Sequence, residues 1–252
     1  MSNTAVRLLL PASGLLVAAL LWAAGTAALT GVTPVAAAFS PQAALPALWQ
    51  LLADPWFWKH ILLSLQRVGV GLGFALLIGV PLGLLVGTWA GFARATSPLF
   101  QLLRMISPLS WMPLAVMALG VGNAPVYFLL AFAAVWPILL NTAAGVAGLD
   151  PNWLTLARSL SATRRETVLK VILPGITADL LTGVRLAIGI IWIILVPAEM
   201  LGVSAGLGYF ILDTRDRLAY DELMAAILVI GALGFLLDYA ARQLHRIWLH
   251  KN

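Results

Sequence analysis

Between Arg7 and Asp54 the chain carries no charged residue, and two further gaps follow, Val68–Ala93 and the stretch from Arg104 to Asp150. Uncharged runs of that length cannot form the surface of a water-soluble domain, because every exposed turn would present bare apolar side chains. They suit hydrocarbon, which a helix crosses in about 20 apolar residues. Composition agrees. Of the 252 residues, 62% are hydrophobic and 10% charged, against roughly 45–50% and 25% in soluble domains. Mean hydropathy is +0.97. Lipid is the solvent for most of this surface.

The gaps place the spans. Leu8–Leu29 supplies one helix and Val68–Ala93 a second. The run from Arg104 to Asp150 holds two, split by the turn signal Gly120-Val-Gly-Asn-Ala-Pro125. A fifth covers about residues 180–201 and carries Arg185 and Glu199; a sixth covers about 222–244 and carries Asp238 and Arg242. The expectation is an all-α polytopic membrane protein of about six helices. Residues 1–59 form an N-terminal helix with an outer segment, and 60–252 form the main transmembrane domain. The first helix is read as retained, since the apolar core of a signal peptide runs only about 7–15 residues. With the N-terminus inside, only Lys59, Arg67, Arg215 and Arg217 of the 15 basic residues lie outside. Basic residues favour the cytoplasmic side, so both termini are expected there, and the net charge of +5 is a topological signature.

Several classes of function drop out. There is no cysteine, and His60, His245 and His250 lack metal-ligand spacing, so no metal site is expected. No basic stripe with interleaved aromatics points to nucleic acid. Gly69-Val-Gly-Leu-Gly73 has no following Gly-Lys-Ser/Thr, so no nucleotide or other cofactor is expected on this chain. Those glycines, with Gly79, Gly83 and Gly87, read as helix packing positions. Trp56, Trp58, Trp89, Tyr220 and Trp248 read as interfacial belts.

The segment 150–174 is the informative cytoplasmic stretch. Asp150-Pro151 is a helix start, and Thr163-Arg-Arg-Glu166 is a capping box opening a second short helix, which Pro174-Gly175 is expected to end. Trp153, Ala157 and Leu160 share one face, beside Arg158, Arg164 and Arg165. A basic amphipathic hairpin on lipid headgroups is one reading; a docking knob for a cytosolic partner is the other.

Leu156-Ala-Arg-Ser-Leu-Ser-Ala-Thr163 followed by Val171-Ile-Leu-Pro174 resembles the EAA loop of binding-protein-dependent ABC importer permeases. Thr155 stands for the Glu of that pattern, Leu156 and Ala157 for its two alanines, and Val171, Leu173 and Pro174 for its closing motif. Ser161 stands where the family usually has Gly, which disfavours a positive φ there. Ser64-Leu-Gln-Arg67, Gly79-Val-Pro-Leu-Gly83, Ser107-Pro-Leu-Ser-Trp-Met-Pro113, Trp136-Pro-Ile-Leu-Leu-Asn-Thr142, Ala198-Glu-Met-Leu-Gly202 and Gly206-Leu-Gly-Tyr209 resemble the nitrate, sulfonate, taurine and bicarbonate branch. The resemblance spans about residues 60–245. It implies a homodimer in a bacterial inner membrane, with two cytosolic ABC ATPase subunits binding ATP and Mg. A periplasmic or lipid-anchored binding protein would deliver solute to the outer face. The ATPase-coupling residues it implies are Thr155, Leu156, Ala157, Arg158, Leu160, Ser161, Arg164, Leu173 and Pro174.

Neutral donors suit the passage of a small anion, because they bind it without trapping it. Ser107, Ser110, Trp111, Asn141 and Thr142 are the candidates, weighed against the helix-linking role common to such residues. Glu199 is added as a group at membrane depth, with a structural or gating role bonding the following Gly-rich loop. Asp213, Arg215, Asp216 and Arg217 form the densest outer charge cluster and are candidates for docking the binding protein, with Asp221 a candidate helix cap. A secondary carrier or channel is the competing class; such a protein has no need of the segment 150–174.

Overall fold

The computed structural model describes residues 3–249, with side chains over 13–247, and every regular element among them is helical. His250 and Lys251, and the side chains of Arg7 and Trp248, lie outside the described residues. The helices are α1 (Asn3–Thr30), α2 (Pro41–Ala53), α3 (Pro55–Thr88), α4 (Ala90–Met105), α5 (Met112–Leu119) and α6 (Asn123–Ala147). After these come α7 (Pro151–Ser159), α8 (Arg164–Thr167), α9 (Leu173–Gly175), α10 (Thr177–Gly202), α11 (Leu207–Asp216) and α12 (Tyr220–Leu249). Tight 3₁₀ turns occupy Pro34–Phe39 and Pro108–Trp111, and a π turn occupies Val168–Ile172.

Helices α1, α3, α6, α10 and α12 are long and apolar enough to cross a membrane. A sixth crossing exists if α4 and the segment Pro108–Leu119, which meet at 89°, count as one. The third span is therefore broken where the sequence suggested a continuous helix. Pro108 removes an amide donor and biases its predecessor away from helical geometry, and Ser107 accordingly sits at ψ 127°. The second span also differs. It begins at Pro55 instead of Val68, and its 34 residues extend about 51 Å at 1.5 Å per residue. Arg67, taken from the sequence as an outer-loop charge, is inside this helix and buried.

The chain forms two compact units. One comprises the residues up to His60 together with Phe210–Gly231, the other Ile61–Tyr209 together with the residues from Ala232. In the first, Phe57 and Phe210 pack edge to face at 4.9 Å, and His60 lies 4.2 Å from Trp56 and 5.5 Å from Phe210 between ring centroids. Trp22 donates its indole N–H to the Phe39 carbonyl at 2.9 Å.

In the second unit α6 is the central helix. Val126, Leu129, Leu130, Ala134 and Ile138 are fully enclosed, packed with Ala187, Ile191, Leu195 and Ala198 of α10. The α10 set recurs every three to four residues, which is one helical face. On its other side α6 meets Gly71, Gly79, Gly83 and Gly87 of α3. A methyl group at Gly83 would lie 2.6 Å from Thr142 Cβ and 2.7 Å from the Leu139 carbonyl oxygen, so the two backbones touch. Gly69 and Gly73 face open space, so only part of the glycine pattern serves packing.

Candidate coupling segment, buried ion pair and cavity

The segment after α6 is built by its own capping residues. The Asp150 carboxylate accepts the Asn152 N–H at 2.9 Å, with Pro151 as the first helical residue. At α8 the capping box is complete: the Thr163 hydroxyl accepts the Glu166 N–H at 3.2 Å, and Glu166 accepts the Thr163 N–H at 3.0 Å. The Thr163 amide, then its hydroxyl, then the Lys170 ammonium hold the Glu166 carboxyl below the usual carboxylate range.

Three features differ from the sequence expectations. First, Ala157 is not on the exposed face; it is 5% exposed, while Trp153, Leu156 and Leu160 are 58%, 50% and 73% exposed. Leu154 packs against the small core of Val146, Ile172 and Ile176, which sets the rotation of α7 and turns Ala157, three residues on, inward. The outward apolar stripe is thus Trp153–Leu156–Leu160. Second, Ser161 does adopt a positive φ, 54°, despite its side chain. Its N–H bonds the Arg158 carbonyl at 2.9 Å and the Ala162 N–H bonds the Ala157 carbonyl at 3.0 Å. This is a Schellman cap, whose two bonds hold a left-handed residue that costs roughly 1–2 kcal/mol without glycine. Third, Pro174-Gly175 does not stop the helical path. The chain runs from α8 through the π turn and α9 into α10 with only Ile176 between. Proline lacks the donor for one turn, and the wider π register just before it absorbs the mismatch. Leu173 packs inward with the same core, Pro174 stays exposed, and the Thr155 hydroxyl donates to the Pro151 carbonyl at 3.0 Å.

Glu199 is enclosed, with no exposed surface, and paired with Arg67 at 2.6 Å. The Ser64 hydroxyl lies 2.7 and 2.9 Å from its two oxygens, and the Gly208 N–H donates to one of them at 2.8 Å. Arg67 also donates to the Ala205 carbonyl at 2.7 Å and, through Nε and Nη2, to Asn123 Oδ1 at 3.0 and 2.8 Å. The Leu207 N–H donates to Ser64 at 2.9 Å. Gly206, at φ 124°, crosses directly over the pair, where a methyl would fall 2.6 Å from Glu199 Oε1. The network ties α3, α6 and α10 to the loop before α11. Arg67 was missing from the candidate residues, although the signal existed. A lone carboxylate in an apolar span needs a cation, and Ser64 and Arg67 share a helix face three residues apart.

The neutral donors do not converge. Ser107 and Ser110 are exposed around the break after α4. The Trp111 ring packs on Phe132 at 5.6 Å, and Thr142 lies against Gly83. The Trp111 indole N–H and the Thr142 hydroxyl are buried without a hydrogen-bond partner among the described residues. Asn141, which donates to the Pro137 carbonyl at 2.8 Å, lines a cavity of about 380 Å³ together with Trp136 and Arg104. Arg104 is the one charged residue of that lining, and the sequence reading did not single it out.

The charge cluster around residues 213–217 lies at a helix end. Asp213, Arg215 and Asp216 close α11; Arg217 bonds Asp213 at 2.9 Å and Glu222 at 3.0 Å, and Arg215 bonds Asp216 at 2.8 Å. Asp221 lies inside the first turn of α12, where it favours the helix dipole, and does not cap it. At the other end of α12, Asp238 bridges Arg185 at 3.1 Å and pairs with Arg242 one turn on.

The family model for the inner membrane component of binding-protein-dependent transport systems matches residues 75–248. The chain belongs to that family. It is 36% identical over 212 residues to the nitrate import permease protein NrtB of Leptolyngbya laminosa, covering 80% of this chain and 76% of that one. It is 38% identical over 198 residues to the bicarbonate transport system permease protein CmpB of Synechococcus elongatus, with 78% and 70% covered. The taurine transport system permease protein TauC of Escherichia coli is 34% identical over 193 residues, with 77% and 70% covered. Among solved structures, a chain of the MetNI methionine ABC transporter superposes with TM-score 0.61 at 19% identity, over 81% of this chain and 98% of that one. A chain of an amino acid ABC transporter superposes with TM-score 0.59 at 18% identity over the same shares. Those two likenesses concern the fold. The chain is a multi-pass permease subunit of an ABC importer.

Proposed function

We propose that two copies of this permease form the membrane pathway of an importer for a small oxyanion of the nitrate, bicarbonate, taurine or sulfonate type. Each copy engages one cytosolic ABC ATPase subunit through the stripe Trp153–Leu156–Leu160. ATP and Mg stay on that partner, and a periplasmic or lipid-anchored binding protein delivers the solute. The membrane is the bacterial inner membrane, with both termini cytoplasmic. Asp213, Arg215, Asp216 and Arg217 form part of the outer docking rim, where charges set the association rate.

The observation carrying this reading is the contrast within α7. Its inner face packs on the ends of the spans through Leu154, with Ala157 buried, while the large apolar side chains of Trp153, Leu156 and Leu160 are half or more exposed among the described residues. A helix held that firmly transmits a push to α6 and α10, which a coupling without its own nucleotide site requires. Leu156→Glu combined with Leu160→Glu tests it, because both positions are exposed and the change does not touch the core. The expected result is loss of ATPase co-purification and of transport, with normal membrane insertion and thermal stability. Retained co-purification and transport would overturn the assignment. Ala157→Glu is unsuited to this purpose, since it buries a charge within the protein.

A further inference from the structure

A cavity of about 910 Å³ lies between the coupling segment and the ends of two spans. Gly87 and Thr88 close α3 and Val146 stands at the end of α6, so the cavity sits at the ends of two membrane-crossing helices. Its floor is apolar, formed by Leu85, Val146, Leu154 and Val168. Its polar lining is unusual in charge: Arg158 and Arg164 both face it, beside Trp89. The ion pairs among the described residues use other arginines, and the neighbouring acid, Glu166, is occupied by Thr163 and Lys170. The Thr88 and Thr167 hydroxyls donate to carbonyls of their own helices at 2.7 and 3.0 Å. The guanidinium groups therefore carry the recognition chemistry of the site.

Two guanidiniums without an ion-pair partner among the described residues, above an apolar floor and beside an indole, match one kind of ligand. A phosphodiester satisfies the fork of each arginine, and an acyl chain fills the floor. A water-soluble anion would leave the floor empty, and an apolar peptide would leave both arginines unpaired. We propose that this cavity holds an anionic phospholipid of the cytoplasmic leaflet, its phosphate between Arg158 and Arg164 and its acyl chain along Leu85, Leu154 and Val168. The site lies on the opposite side of α7 from the stripe Trp153–Leu156–Leu160. The bound lipid adds to the contact that Leu84 of α3 makes with Leu154 and Val168 around the small core. The inference rests on membrane embedding and is independent of the solute.

The test is native mass spectrometry of the full chain in mild detergent, titrated with phosphatidylglycerol and phosphatidylcholine of identical acyl chains. One phosphatidylglycerol per chain should bind in preference to phosphatidylcholine. Arg158→Gln with Arg164→Gln should weaken that binding roughly 25-fold, about fivefold per arginine. Arg94→Gln with Arg246→Gln, which removes two basic residues elsewhere, should leave it unchanged. Leu85→Trp, which narrows the floor at a half-exposed position, should weaken both lipids with the arginines intact. If the double glutamine variant does not fold, Arg158→Lys with Arg164→Lys decides, because it must keep the preference for the anionic lipid. Equal affinity for the two lipids, wild-type binding by a folded glutamine variant, or displacement of phosphatidylglycerol by inorganic phosphate at similar concentration would each overturn the proposal.

Discussion

Thr163, Glu166 and Lys170 meet in solvent on the coupling segment, whereas Ser64, Arg67 and Glu199 meet where neither charged side chain is more than 4% exposed. Both are charge-centred networks that hold a turn of backbone in place. Their energetics are opposite. Exposed pairs are screened and contribute about 0–1 kcal/mol each, so the coupling segment tolerates exchange of any one member. A buried pair is stable only when complete, because removing one partner leaves a charge with nothing to solvate it. The protein thus holds the exposed segment 150–174 by weak, replaceable charges and its span-to-loop junction by a buried pair.

The sharpest way to break that contrast is Arg67→Met. It should destabilise the protein by about 3–5 kcal/mol, since Glu199 is then buried alone. Thermal unfolding of the detergent-purified chain measures this, and adding Glu199→Gln should recover a large share. A small effect of the single change would mean that water reaches the pair. Next in size is Gly83→Leu, which drives side-chain atoms into Thr142 and the Leu139 carbonyl and should cost about 1–3 kcal/mol by the same assay. Gly73→Leu, facing open space, is its control and should change little.

On the coupling segment the effects are smaller and one has the opposite sign. Ser161→Gly relieves a left-handed serine and should stabilise the turn by about 1 kcal/mol, seen as slower amide exchange at Ser161 and Ala162 sites. The smallest effect concerns pH. Glu166 is held below its ordinary value, near 4.3. Its contribution is therefore fully present above that value and lost as pH falls through the lower folded pKa. Amide exchange over residues 163–167, corrected for intrinsic rate, should loosen only in that acid window. Glu166→Gln, which keeps the capping geometry, should abolish the pH dependence.

Local chemistry was legible from the residues alone. The caps at Asp150 and Thr163 formed as read, because a cap needs only atoms within three residues of one another. The membrane character and the positions of the first, fourth, fifth and sixth spans followed from charge spacing, since the bilayer penalises charges wherever they fall in the fold. The break at Ser107-Pro108 is a matter of proline chemistry, which the apolar pattern running through it masks.

Other features depended on partners far along the chain. Glu199 and Arg67 lie 132 residues apart, and neither position announces which cation meets which acid until α3 and α10 pack. The rotation of α7 is similar. Its sequence offers two apolar stripes, Trp153–Leu156–Leu160 and Leu154–Ala157, and helical periodicity ranks neither as the inner one. The small core of Val146, Ile172 and Ile176 chose Leu154, and the outward stripe followed. Ser161 shows the same order of control, because two backbone bonds outweigh its preference against a positive φ. Sequence alone therefore determined much of what depends on near neighbours and on the solvent: the all-helical class, the caps at Asp150 and Thr163, and four of the membrane spans. Only tertiary packing decided which face of a helix turned inward and which distant charge completed a pair, because those energies exist only once the elements touch.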